Sequence, residues 1–446
     1  MERRFEPSGP LRGALRPPPD KSISHRAALL AAMAEGTTEV EGYLDAADTR
    51  STLAAVRALG AEVTEEGGAL RIEGVGLRGA RPGSIDVGNA GTLLRLLPGW
   101  LAGQESGTWT LDGDDSIRAR PVDRIAEPLR LMGAGVECRD GRLPPLRVDA
   151  GPLAGIDYEL PVASAQVKSC VLLAGLLAEG ETRVAEPAPT RNHTERMLAA
   201  MGAELRRDGD WIAVRPAERL EPGRIAVPGD FSSAAFPLVA ALLVPGSEVE
   251  LSGVGLNPTR TGLLGILARM GAGVEVEEED QAGGEPGGGV RAAHSQLRGT
   301  EAGGDEIPLA IDELPLVALA GCFAEGTTVI RDAAELRRKE SDRIAAVAAA
   351  LTSIGGQVET GEDGLAVTGT GGLRGGRTDA HGDHRIAMMG AVAGLASREG
   401  VTVAGIESAA VSYPGFETDL AKLFQAGALR PRSSRSGGEA AASDLG

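Results

Sequence analysis

Six loops of this chain gather polar and charged side chains immediately ahead of long apolar runs: "PDKSISHR", "VGNAGT", "LPVASAQVK", "VPGDFSS", "LAIDELP" and "DAHGDHR". In the first, Lys21, Ser22, His25 and Arg26 fall within six residues, while Lys168 and Arg385 occupy the same place in the third and sixth. The start of a helix presents unsatisfied N–H groups and the positive end of its dipole. A cation in that first turn opposes the dipole by ~0.3–1 kcal/mol. Repeated at equivalent places, the penalty points to an anion, a phosphate or carboxylate held by helix ends together with Lys and Arg. Ser, Asp and Asn are also ordinary N-caps, which serves equally well for Asp230 and Ser232 and leaves "GNAGT" readable as a turn plus a cap.

The densest charged stretch is "ELRRKESDRI", residues 335–344. On a helix, Lys339 and Arg343 are four apart and share a face, with Glu340 one step round; most such runs are solvated faces. His25, His193, His381 and His384 show no metal-ligand spacing, and no nucleophile elbow, phosphate-binding P-loop or dinucleotide fingerprint is present.

The elements that must position these loops repeat. An apolar run precedes each of Gly36, Gly107, Gly180, Gly246, Gly326 and Gly400, which open six units spaced by seventy or so residues. Runs such as "KSCVLLAGLLAEG" and "AAFPLVAALLVPG" are apolar all round, which predicts buried helices. After each glycine comes a short alternating strand, a loop, an amphipathic helix such as "TRSTLAAVRALG" that ends in a glycine C′ position, and another strand. The longest step, from Gly246 to Gly326, contains a glycine-rich insertion, residues 281–304, which reads as a flexible loop. The most economical arrangement is two domains of three units with a hinge near residues 227–233. Buried helices that close around one axis bring their N-termini to one face, and two such faces opposed across a hinge form an anion-binding cleft.

The bulk numbers agree. At 446 residues the chain exceeds one core. Its net charge of −18 argues against a nucleic-acid partner, because phosphate-backbone binding needs a basic stripe. Aromatics at 3% make base or sugar stacking a poor recognition mode. No run reaches the ~18 apolar residues of a membrane span. The opening "MERRFEPSGP" has no apolar signal region, and Cys138, Cys170 and Cys322 are scattered, so a reduced cytoplasmic setting is expected.

Taken in order, "DKSISHR", "GNAGT", the Arg-Pro of "RARP", "IDELP", "KESDR" and "DHRIAM" resemble the 5-enolpyruvylshikimate-3-phosphate synthase family across residues 10–426. The chain is also similar to the family's class II branch through Ser164–Lys168 (S-A-Q-x-K), Arg191–Glu195 (R-x-H-x-E), Gly229–Ser233 (G-D-x-x-S) and Asn257–Arg260 (N-x-T-R). The resemblance implies a two-domain inside-out α/β barrel of six βαβαββ repeats, three per domain around buried parallel helices. It places residues 16–228 in one domain, 1–15 with 229–428 in the other, and 429–446 in a disordered tail. It implies transfer of an enolpyruvyl group from phosphoenolpyruvate to the 5-hydroxyl of shikimate 3-phosphate through a tetrahedral intermediate that expels phosphate. No cofactor or metal is implied; a monomer is expected, with glyphosate as a candidate inhibitor.

Carried over by position, Lys21, Ser22, Arg26, Ser164, Ala165, Gln166 and Arg191 hold shikimate 3-phosphate. Lys21, Asn89, Gly91, Arg120, Gln166, Arg343 and Arg385 face phosphoenolpyruvate. Asp312 is the base at the 5-hydroxyl with Lys339 beside it, and Glu340 the proton donor to the methylene carbon. One departure is that "AVSYPGF" puts Val411 and Ser412 where some relatives carry a lysine, removing a cation from the phosphoenolpyruvate side. Two alternatives are a UDP-N-acetylglucosamine enolpyruvyl transferase, for which "DGDDSIRARP" lacks the usual cysteine, and a non-catalytic anion-binding module.

Overall fold

The computed structural model describes residues 1–279 and 282–425. The expected tail, residues 429–446, lies outside them. The apolar runs are helices, and they are buried as their all-round composition requires. They are α1 (Lys21–Met33), α2 (Gly91–Ala102), α3 (Ala165–Gly175), α4 (Phe231–Leu243), α5 (Leu314–Phe323) and α6 (His384–Ala396). Every residue of α4 is buried, and α6 leaves only its last outside that class. Glycine lets these helices approach closely: a Cβ at Gly99 in α2 would lie 2.1 Å from the Cys170 carbonyl of α3.

The inner helices α2, α3, α5 and α6 each join two strands that pair in parallel, the geometry that a crossover helix imposes, whereas α1 and α4 each lead from a strand of one sheet to a strand of another. In the second unit Gly83–Asp86 leads through α2 to Thr108–Asp112, followed by an outer helix, Asp123–Leu131, and the antiparallel pair Gly135–Arg139 and Leu143–Asp149. Five described sheets have four strands and one has three. Outer helices pack on the sheets through one face, and α1 to α6 fill the centre.

Two buried apolar clusters result. One runs from Ile23 to Val227; the other joins Phe5, Leu11 and Leu15 to residues from Phe231 to Leu423. The N-terminus is part of the second cluster through its backbone. Glu2–Phe5 pairs with Val401–Ala404, and Arg12–Leu15 pairs with Glu248–Gly255. Two strands of chain therefore pass between the clusters. They run side by side, with Asp20 N–H donating to Pro228 O at 2.8 Å and Asp230 N–H donating to Pro18 O at 2.7 Å.

Two expectations fail. The glycine-rich insertion is not simply a loop: within it Gly287–Ala293 is an interior strand, paired on one side with Glu248–Gly255 and on the other with Gly273–Glu279. Gly288 answers to crowding, since a Cβ there would sit 2.0 Å from Glu277 O. The run 335–344 is not one helix either. A 3₁₀ turn, Ala334–Arg338, ends at Lys339, and the helix Arg343–Ser353 starts afresh where Asp342 accepts the Ala345 N–H at 3.2 Å. An N-cap has non-helical backbone, so Lys339 and Arg343 share no helix face.

Candidate active site

The N-termini of α1, α2 and α3 meet on one side of the first cluster. Asp20 caps α1 by accepting the Ile23 N–H at 2.9 Å, leaving Lys21 and Ser22 at the rim. Lys21 lies 3.3 Å from Asp48 and keeps about a third of its side chain exposed (35%). Ser164 caps α3 through the Val167 N–H at 3.4 Å, so Ala165 and Gln166 form its first turn. Gln166 Nε2 donates to Thr92 Oγ1 of α2 at 3.3 Å, tying the second and third helix ends together.

Gly91 opens α2, two residues after Asn89, and arginines converge on it. A Cβ there would lie 2.6 Å from Arg120 Nη1 and 3.1 Å from Arg95 Nη1. Arg95 was not singled out from sequence, although "GNAGTLLR" puts it one helical turn beyond Gly91. Burial and the nearby charges of Arg120 and Arg124 push its guanidinium down to about 10.

Two cations near helix starts are engaged inward. Lys168 is fully buried between Glu186 Oε1 at 2.9 Å and Glu195 Oε1 at 2.6 Å. The repeated-cation pattern therefore misleads at that position: Lys168 neutralises internal carboxylates and faces no cleft. Arg26 donates to Thr194 Oγ1 at 2.7 Å, Ser22 O at 3.0 Å and Ser169 Oγ at 3.2 Å. Its burial lowers it to about 10 despite the attraction of Glu195 and Asp20.

The second cluster contributes a network around Arg343, whose side chain is 1% exposed. It donates to Asp383 Oδ2 at 2.9 Å, to Asp312 Oδ1 at 3.2 Å and to Glu340 Oε2 at 2.5 Å. Asp383 caps α6 through the Arg385 N–H at 2.9 Å. Arg385 lies 3.4 Å from the Asp312 carboxylate and donates to its backbone carbonyl at 3.1 Å. Arg191, from the other cluster, closes the circle by donating to Asp312 Oδ2. The opposed faces thus meet through an ion pair of unlike charge.

The electrostatics follow. Burial would raise Asp312, but Arg385, Arg191, Lys339 and Arg343 outweigh it and hold the carboxylate well below its usual range. Glu340 is likewise lowered, burial being overcome chiefly by Arg343. Glu313 goes the other way: burial lifts it to about 7, against the pull of Arg385. His384 is held neutral down to about 4 by burial and Arg385.

A third group of residues was recognised in sequence only as motif letters. His193 Nδ1 is 2.9 Å from Glu285 Oε1, and Asn257 Nδ2 donates to Glu285 Oε2 at 3.0 Å and to Asn192 Oδ1 at 2.8 Å. Glu285 comes from the glycine-rich stretch and is buried, a role that glycine content conceals. The cation missing near the C-terminus stays missing: Val411 is exposed and Ser412 follows it.

Comparison with known proteins gives these positions a context. A model of the EPSP synthase (3-phosphoshikimate 1-carboxyvinyltransferase) family matches residues 5–420. A 3-phosphoshikimate 1-carboxyvinyltransferase of Synechococcus sp. (strain JA-3-3Ab) is 52% identical over 426 residues, covering 94% of this chain and 96% of its own. One from Thermus thermophilus is also 52% identical, covering 95% and 99%. The EPSP synthase of Acinetobacter baumannii superposes with a TM-score of 0.89 at 43% identity, covering 95% of this chain and 98% of its own. The enolpyruvyl transferase NikO from Streptomyces tendae, 19% identical with a TM-score of 0.74, shares the inside-out fold.

Proposed function

The chain belongs to the EPSP synthase family, and from that premise we propose how its residues carry the reaction. The enzyme transfers the enolpyruvyl group of phosphoenolpyruvate to the 5-hydroxyl of shikimate 3-phosphate and releases phosphate, a step in aromatic biosynthesis. Shikimate 3-phosphate lies against Lys21, Ser22 and the α3 end, its phosphate on Ser164, Ala165 and Gln166 with Arg191. Arg26 acts from behind, fixing α1 to α3 through Ser169. Phosphoenolpyruvate lies between Lys21, Asn89, Gly91, Arg120 and Gln166 on one side and Arg343 and Arg385 on the other. Charge-assisted hydrogen bonds of ~1.5–3 kcal/mol each suit two substrates that each carry a phosphate and a carboxylate.

Asp312 takes the 5-hydroxyl proton as the oxygen attacks C2 of phosphoenolpyruvate, and Glu340 protonates the methylene carbon. A proton then leaves the new methyl group as phosphate departs. Asp312 and Glu340 share Arg343, and that convergence carries the assignment. Phosphoenolpyruvate drawing Arg343 and Arg385 to its own oxygens raises the basicity of both carboxylates, which suits a base and an acid working at neutral pH. Lys339 stands beside Asp312 as a further positive charge.

No described helix is long and apolar enough to cross a membrane. We place the enzyme in the cytoplasm as a monomer, and glyphosate in the space that Gly91 leaves beside Arg120. A UDP-N-acetylglucosamine substrate fits poorly: Cys138 lies in the strand Gly135–Arg139 with its thiol pushed up by burial, and Cys170 and Cys322 are buried. Phosphate release that requires both phosphoenolpyruvate and shikimate 3-phosphate is the expected result of a coupled assay. Release that follows UDP-N-acetylglucosamine instead, or none with either acceptor, overturns the reading.

A further inference from the structure

One guanidinium links the first inner helix of each apolar cluster. Arg260, its side chain 6% exposed, donates through Nη1 to Asp20 Oδ2 at 3.3 Å and through Nη2 to Asp230 Oδ1 at 3.1 Å. Those two aspartates are the N-caps of α1 and α4. Asp20 uses its other oxygen on the Ile23 N–H, and Asp230 also accepts the Ser232 and Ser233 N–H groups at 3.2 Å each. Arg260 Nη2 further donates to Ser232 Oγ at 2.7 Å, and that hydroxyl donates to Glu313, the residue after Asp312. The linkage sits where the two strands of chain cross between the clusters.

We propose that Arg260 is a positioning residue that fixes Lys21, at the start of α1, relative to Asp312. This rests on the assignment of Lys21 and Asp312 to the substrates. Each end of the link is rigid: a carboxylate that caps a helix cannot move without that helix end, and Lys21 is the next residue after Asp20. The planar fork of arginine sets distance and direction between two acceptors, which the single ammonium of lysine does not. A buried ion pair is weak evidence for net stability, so its use here lies in geometry. Asn257 supports the fork from the same loop. Its carbonyl accepts the Arg260 N–H at 2.8 Å, and its side-chain oxygen accepts the Thr259 N–H at 2.9 Å. The N-x-T-R motif thereby joins "DKS" to "GDFSS" across the crossing point.

The test compares the wild-type enzyme with Arg260→Lys and with the double variant Arg260→Gln/Asp230→Asn, which removes one of the two facing acids. Shikimate 3-phosphate affinity is measured by calorimetry, turnover by phosphate release and folding by thermal melting. Arg260→Lys is expected to melt cooperatively and to bind shikimate 3-phosphate within about threefold of wild type, because the residues assigned to its phosphate all belong to the first cluster. Its kcat is expected to fall on the order of 10²-fold, the effect of a misplacement of about an ångström. The double variant is expected to fold and to stay slow. A kcat for Arg260→Lys within about threefold of wild type overturns the proposal. So does recovery of kcat in the double variant, which would make Arg260 a charge balancer, and so does failure of both variants to fold. Wild type that binds shikimate 3-phosphate yet never turns over would instead overturn the reaction assignment.

Discussion

Lys168 and Arg343 are both buried cations, each held by more than one carboxylate, and they have opposite uses. Around Lys168 the acids are enclosed: Glu186 is 2% exposed, Glu195 14%, and the second oxygen of each is buried without a hydrogen-bond partner. Around Arg343, Asp383 is enclosed too, but Glu340 is 52% exposed and the buried Asp312 is touched by an arginine of the other cluster. A cation at a helix start is thus no signature of ligand binding by itself. What distinguishes the two is whether the partner carboxylates can exchange their cation for a substrate.

The sharpest break of that contrast is Asp312→Asn. It keeps shape but removes the base, so kcat should fall by about 10²–10⁴-fold in the protein that stays folded, and the melting temperature should fall as well, because the arginines around Asp312 lose their counter-charge. A loss of stability with kcat retained in the folded fraction would place Asp312 with the Lys168 class. Next is Lys168→Met, which leaves two buried acids unpaired. Urea titration should show a loss of about 3–5 kcal/mol in folding free energy, while the fraction that remains folded keeps its kcat. Arg120→Ala should raise the KM for phosphoenolpyruvate about 10–100-fold, as loss of one or two charge-assisted bonds would. Its KM for shikimate 3-phosphate should change far less; equal rises would reject the division of the site.

The smallest effect concerns Glu313. Its folded-state value, about 7, lies above the usual 4.5, so the folded protein binds that proton more tightly than the unfolded chain. Its stabilising contribution is full below about pH 4.5 and is lost as pH rises through about 7. Glu313→Gln should therefore raise the melting temperature at pH 8 and leave it nearly unchanged at pH 5. A difference of the opposite sign would show that Arg385 dominates burial there.

Much of this is legible in the chain's local patterns. Apolar runs ending at glycine mark the six inner helices, and the loops ahead of them hold Lys21, Gly91, Ser164, Asp312 and Arg385, because a helix start is a local property of sequence. Other features are not local. The strand Gly287–Ala293 looks like a linker from its glycines, yet Gly288 answers to a neighbour across the sheet. The break between Lys339 and Arg343 depends on Asp342 capping, where the charge pattern alone suits one helix. Lys21 is the first residue of α1 and Lys168 the fourth of α3, and nothing in the local sequence says which cation turns inward.

Sequence by itself determined the repeat, the buried helices and the type of chemistry gathered at their starts, since periodicity and capping act over a few residues. Tertiary structure alone decided the partners. Arg260 meets an acid 240 positions away as well as one 30 away, and Arg191 finds Asp312 across 121. Charges interact through space, so folding determines which of them meet and which remain free for a substrate.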